Sequence, residues 1–93
     1  MDISVNDLLC LDNPNIIDIR GLENYNNNHI PGAKNIPYNS LLIAPSKYLN
    51  NDEEYYIYCK RGMTSNGLCQ ILRKQGYKVY SILGGYEAWL LNK

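Results

Sequence analysis

Strands that alternate with helices along one short chain predict an α/β fold built on a mostly parallel sheet. Two apolar runs, Ile16-Ile17-Asp18-Ile19 and Tyr55-Tyr56-Ile57-Tyr58, have the length and continuity of strands buried on both faces. Directly after the second run, Leu68, Ile71 and Leu72 recur at helical spacing. Proline and glycine punctuate the joins at Pro14, Pro31-Gly32, Pro37, Pro45 and Gly84-Gly85.

The elements follow in order. Ser4 and Asp7 resemble a capping box, with Val5, Leu8 and Leu9 as the apolar stripe of a first short helix. Asn13-Pro14-Asn15 reads as a turn before the first strand. Glu23 to Asn28 is polar and long enough for one helical turn, and Pro31-Gly32 breaks the chain after it. Ala33 to Ile36 reads as a short strand stopped by Pro37. Asn39-Ser40 is placed to cap a helix holding Leu41, Leu42 and Ile43, ended by Pro45. Asn50 to Glu53 is an exposed linker into the strand Tyr55–Tyr58. The helix from Ser65 to Gln75 carries Arg73 and Lys74 in its last turn, where the dipole favours cations, and Gly76 ends it. Lys78 to Ile82 is a strand, Gly84-Gly85 a turn, and Tyr86, Trp89 and Leu90 mark the apolar stripe of a last helix.

Size and composition bound the function. The 93 residues make one domain, 1–93, too short for a cofactor domain plus a substrate domain. A hydrophobic fraction of 45% supports a folded globule. A formal net charge of zero gives no overall field to attract nucleic acid or a membrane surface, so any anion preference is local. No apolar run approaches the ~18–20 residues of a membrane span. Met1 to Asp12 lacks the basic and apolar regions of a signal peptide. The three cysteines, Cys10, Cys59 and Cys69, are odd in number and have no metal-like spacing. They suit a reducing, cytoplasmic setting and imply neither a disulfide framework nor a metal site, and no cofactor motif is present.

Cys59 stands apart from the other two. It ends a strand, is followed by Lys60-Arg61-Gly62-Met63-Thr64, and then by a helix start. Helix dipole, unpaired N–H groups and two cations all favour a thiolate there. A free thiol with pKa ~8.5 is only a few per cent ionised at neutral pH. Lowering that value by about two units takes about 2.7 kcal/mol of differential stabilisation. The helix start supplies about 0.3–2 kcal/mol of it, and Lys60, Arg61 and the loop amides are placed to supply the rest. Gly62 lets the loop turn tightly, and Thr64 is placed to cap the helix. Crossover connections in a parallel sheet would bring this loop to the carboxyl edge, where such folds bind ligands.

The segments Ile17-Asp18-Ile19-Arg20, Glu23, Tyr25 and His29-Ile30-Pro31-Gly32-Ala33-Lys34-Asn35-Ile36-Pro37 resemble the first half of the rhodanese domain. That half reads D-x-R, E-Y, then G-H-I-P-G-A-x-N-I-P; Asn28 stands here where the family has the glycine before histidine. Tyr56 to Cys59, Ser65, Leu72, Gly76-Tyr77, Val79, Leu83-Gly84-Gly85 and Ala88-Trp89 resemble the second half, in order. The resemblance covers almost the whole chain. It implies the three-layer rhodanese-like fold, with helices on both faces of the sheet.

It also implies a sulfurtransferase that moves a sulfane sulfur from thiosulfate, or a similar donor, to a thiol or cyanide through a persulfide on Cys59. The loop C-K-R-G-M-T, Cys59 to Thr64, is similar to the C-R-K-G-V-T loop of the thiosulfate-using branch. Lys60 and Arg61 would hold the sulfonate end of the donor, with Gly62, Met63 and Thr64 completing the substrate loop.

Three other functions are weighed against this one. A cysteine phosphatase needs Cys-x5-Arg, and the position six after Cys59 is Ser65. A regulatory binding module does not need the cysteine that is present. A persulfide carrier serving a protein acceptor uses the same loop chemistry and stays open. Among the remaining residues, His29 reads as structural, Asp18 and Arg20 as an internal pair, Cys69 as core, and Cys10 as a partly buried bystander.

Overall fold

The computed structural model describes residues 1–92. Its strands are β1 (Asp2–Ile3), β2 (Asn15–Asp18), β3 (Lys34–Asn35), β4 (Glu54–Tyr58) and β5 (Lys78–Ile82). They form one sheet in the order β1-β5-β4-β2-β3, and every pairing is parallel. Helices α1 (Val5–Leu9), α2 (Leu22–Asn27), α3 (Tyr38–Ile43) and α4 (Met63–Lys74) connect them, with a 3-10 turn at Pro45–Lys47, and α5 (Gly85–Leu91) follows β5.

Strand parity sorts the side chains into two cores. Tyr55, Ile57 and Cys59 face Leu41, Leu68, Cys69 and Leu72 of α3 and α4 on one side. Tyr56 and Tyr58 face Val5 and Leu8 of α1 and Tyr86 of α5 on the other. The result is the expected three-layer α/β arrangement. Tyrosine fills positions on both faces, and its hydroxyls find partners: Tyr55 Oη receives Asn50 N–H at 2.8 Å and Tyr58 Oη donates to Asp18 at 2.7 Å.

Several expectations need local correction. β1 was not expected; it forms because the backbone of Asp2 and Ile3 pairs with Ser81 and Ile82, whatever the side chains. Asn15 belongs to β2 rather than to the preceding turn. Ser4 caps α1 by accepting from Asp7 N–H at 3.1 Å, yet Leu9 faces solvent. α3 begins at Tyr38, with Pro37 as its N-cap and no side-chain cap from Asn39 or Ser40. α4 starts at Met63, two positions early, and its buried stripe is Ser65, Leu68, Cys69 and Leu72, with Ile71 exposed. Gly85 lies inside α5 rather than in a turn, and Leu90 is exposed. The end of α4 is as expected: Gly76, at φ +98°, donates to Arg73 O, and Tyr77 donates back to Leu72 O.

Candidate active site

Cys59 is the first residue beyond β4, at the carboxyl edge of the sheet. Lys60, Arg61 and Gly62 then turn the chain into α4. Gly62 makes the turn at φ +97°, a conformation side chains rarely adopt, and a Cβ there would stand 3.0 Å from Gly84 N. The loop wraps around the sulfur. Gly62 N–H donates to Cys59 Sγ at 3.1 Å and Ser65 N–H donates at 3.3 Å. Ser65 Oγ lies 3.5 Å from Sγ.

The N-terminus of α5 holds this loop from beneath. Tyr86 N–H donates to Cys59 O at 2.9 Å and Glu87 N–H to Lys60 O at 3.0 Å. A peptide group is planar and trans, so a Lys60 carbonyl turned toward α5 aims the Arg61 N–H the opposite way, toward the sulfur. Gly85, at φ +58°, makes the approach possible. A Cβ on it would run into Cys59 O and stand 2.9 Å from Gly62 N.

These donors decide the charge of the thiol. Burial alone pushes Cys59 up, since the residue is only 8% exposed. The Ser65 hydroxyl and the backbone N–H groups of Ser65, Gly62 and Arg61 outweigh that, and the thiol ends below its ordinary value. The expected part of the side-chain cations is different. Lys60 and Arg61 are exposed, and Arg61 Nε donates to Glu87 Oε2 at 3.3 Å. Arg61 reaches the sulfur through its backbone. Thr64 is exposed in the first turn of α4 and does not cap it; Gly62 is the N-cap, without a side-chain bond. Cys59, Lys60, Arg61, Met63 and Thr64 together line an open depression of about 390 Å³.

The other singled-out residues lie elsewhere. Asp18 is fully buried and takes a forked pair of bonds from Arg20, with Arg20 Nη2 at 2.8 Å from Oδ2. Tyr58 Oη also donates to Asp18, and receives Ile30 N–H at 3.1 Å. The Arg20 guanidinium lies 4.2 Å from the Tyr86 ring centre, so this network braces the helix that holds the loop. It is the internal pair expected. His29 stacks on Tyr25 at 3.8 Å between ring centres and its Nδ1 lies 2.8 Å from Tyr25 O. Cys69 is fully buried, and burial pushes its thiol up to about 12. Cys10, expected to be partly buried, is exposed at the end of α1.

Ser65, Ser81 and Gly85 belong to the site and were not singled out for it. Ser81 left one trace in the sequence. It is a polar residue in step with Val79 along a strand, at a position that faces the core.

The pattern of the Rhodanese-like domain matches residues 4–92 of the chain. The chain belongs to the rhodanese-like domain family. It is 33% identical over 75 residues to the thiosulfate sulfurtransferase GlpE of Coxiella burnetii, covering 80% of this chain and 69% of that protein. It is 36% identical over 76 residues to YrkF of Bacillus subtilis, whose name proposes a sulfur carrier. That match covers 81% of this chain and only 40% of YrkF's length. Among solved structures, the human single-domain sulfurtransferase TSTD1 superimposes with a TM-score of 0.85 at 25% identity, covering 99% of this chain and 96% of that one. The rhodanese-like chain thus has both sulfurtransferase and sulfur-carrier relatives. Among the described residues no helix is long and apolar enough to cross a membrane.

Proposed function

We propose that this rhodanese-like chain is a sulfurtransferase that carries a sulfane sulfur on Cys59, with thiosulfate or a similar anion as donor and a thiol or cyanide as acceptor. The observation that carries this reading is the ring of N–H groups from Arg61, Gly62 and Ser65 around Cys59 Sγ. Such a ring favours S⁻ without a histidine base, and fixed dipoles need no rearrangement as charge moves. The Cys59 thiolate attacks the outer sulfur of thiosulfate. A bond forms between Sγ and that sulfur, the donor's sulfur–sulfur bond breaks, and its electron pair leaves on sulfite. An acceptor thiolate or cyanide then attacks the outer sulfur of the persulfide. The bond to Sγ breaks, and the pair returns to Cys59 as the thiolate.

Lys60 and Arg61 stand at the rim of the depression over Cys59, where they attract the sulfonate end of the donor. Met63 and Thr64 line the same depression, and Gly62 turns the loop so that its N–H donates to Cys59 Sγ. A second reading, a persulfide carrier that hands its sulfur to a protein thiol in the cytoplasm, draws on the YrkF relationship. Both readings share the first step. Sulfite release from thiosulfate by the purified protein tests it. The wild type releases sulfite continuously with cyanide present, and Cys59→Ser falls to background with its fold intact. Activity retained in Cys59→Ser would remove Cys59 from the chemistry. A wild type that accepts sulfur only from a protein persulfide would favour the carrier.

A further inference from the structure

Behind the sulfur, away from solvent, two hydroxyls pack against each other. Ser65 on α4 and Ser81 on β5 are 0% and 2% exposed, and their Oγ atoms lie 2.7 Å apart. Strand parity puts Ser81 there. It lies beside Ile57 in the sheet, and with Val79 it faces α4, whereas Ile82 faces the opposite core. An apolar residue in step with Val79 would pack at such a site without the cost of burying a hydroxyl.

Ser65 Oγ has three polar neighbours: Ser81 Oγ at 2.7 Å, Gly62 O at 3.2 Å and Cys59 Sγ at 3.5 Å. A serine hydroxyl has one proton to give and lone pairs to accept with. With a thiol at Cys59, S–H donates to Ser65 Oγ and the Ser65 proton goes to the Gly62 carbonyl, which also accepts Asn66 N–H at 3.1 Å. With a thiolate, the sulfur has no proton, and the Ser65 hydroxyl turns to donate to it. Ser65 Oγ then needs a donor of its own. Among the described residues Ser81 is the hydroxyl in reach.

We propose that Ser81 is a positioning residue for Cys59: by donating to Ser65 Oγ it frees the Ser65 proton for the thiolate. The pair follows the charge on the sulfur. When Sγ bonds to the incoming sulfane sulfur, the donor's sulfur–sulfur bond breaks and the electron pair departs on the leaving group. Sγ is then neutral, and the Ser65 proton returns to the Gly62 carbonyl. When an acceptor takes the outer sulfur, the pair returns to Sγ and the Ser65 proton swings back.

The inference rests on Cys59 as the nucleophile of the proposed sulfur transfer. Its test reads the thiolate directly, by the pH dependence of iodoacetamide alkylation in a Cys10→Ser background. Ser81→Ala moves the alkylation midpoint up by about half a unit to one unit, because a hydrogen bond to a charged group weakens. Ser65→Ala, which removes the direct donor, moves it up by about one unit or more. Ser81→Thr keeps the hydroxyl and restores the parent midpoint. A purely structural serine pair would lower the melting temperature and leave the midpoint of each folded variant in place, and that result overturns the proposal. So does a Ser81→Thr midpoint that moves as far as that of Ser81→Ala. If Ser81→Ala does not fold, Ser65→Ala decides: an unmoved midpoint overturns the proposal. Shifted midpoints in a protein that releases no sulfite would support the hydroxyl pair and count against the sulfur-transfer reading.

Discussion

Cys59 and Cys69 lie in the same core on the α4 side of the sheet, and burial pushes both thiols up. They end on opposite sides of the ordinary value. Cys69 sits in the middle of α4, where the N–H groups around it are committed to helix bonds, and it rises to about 12. Cys59 sits before the first turn of the same helix, where the N–H groups of Gly62 and Ser65 are free to donate to sulfur, and it falls. Burial therefore silences a thiol unless uncommitted donors converge on it. One helix supplies both cases, and the difference is position along it.

The comparison breaks most visibly if the donors are scattered while the sulfur stays. Gly85→Ala would push the Cys59 carbonyl away from α5 and turn the loop amides off the sulfur. We expect sulfite release to fall about a hundredfold, on the scale of losing a preorganised donor, with the Cys59 alkylation midpoint moving up. Near-normal turnover in that variant would contradict the role of α5 as the brace of the loop.

Cys69 sharpens the other side. Its folded value lies above that of the unfolded thiol, ~8.5, so in alkali the unfolded chain loses a proton that the folded chain keeps. Stability then falls as pH rises from the ordinary thiol value toward about 12. Between about pH 8 and about pH 10, Cys69→Ala should lose about 2 kcal/mol less stability than the parent, by urea denaturation at each pH. Equal losses would mean that Cys69 ionises as easily folded as unfolded. The alanine variant should still transfer sulfur.

The smallest effect separates side-chain charge from backbone dipoles. Lys60→Ala should raise KM for thiosulfate roughly fivefold, as expected for one exposed charge contact of about 1 kcal/mol. It should leave the alkylation midpoint of Cys59 almost unmoved, because the groups that lower it are the Ser65 hydroxyl and backbone N–H groups. A midpoint that rises with KM would return the thiolate to the cations.

What could be read from the sequence follows the same division. β2, β4, α4 and β5 were legible because apolar runs, helical spacing and the glycine at Gly76 are local signals. β1 was not, since two residues carry no periodicity and their pairing with β5 is a backbone event. The start of α4 was less legible: Ser65 has the chemistry of a helix start, whereas Gly62 in a left-handed conformation ends the turn sooner and α4 begins at Met63. Cys59 was legible from its place between strand and helix. Of the stabilisers expected for its thiolate, the loop N–H groups are in place, whereas the share of the Lys60 and Arg61 side chains is taken by the Ser65 hydroxyl, which only the folded loop brings to the sulfur. Ser81 was hidden because its nearness to Ser65 depends on the register of β5 against β4 and on the packing of α4 over both.

In the proposed transfer, sulfur rests on Cys59 and on neither other cysteine. Cys69 is sealed in the core, and Cys10 ends α1 shortly before the start of β2, at the edge of the parallel sheet opposite the carboxyl edge that holds Cys59, so neither is placed as an internal relay. Mass spectrometry of the protein after thiosulfate treatment tests this most directly. The expected result is one added sulfur, on the peptide containing Cys59, removed by cyanide and absent in Cys59→Ser. Sulfur on the Cys10 or Cys69 peptide, or a disulfide joining Cys59 to either one during turnover, would contradict it.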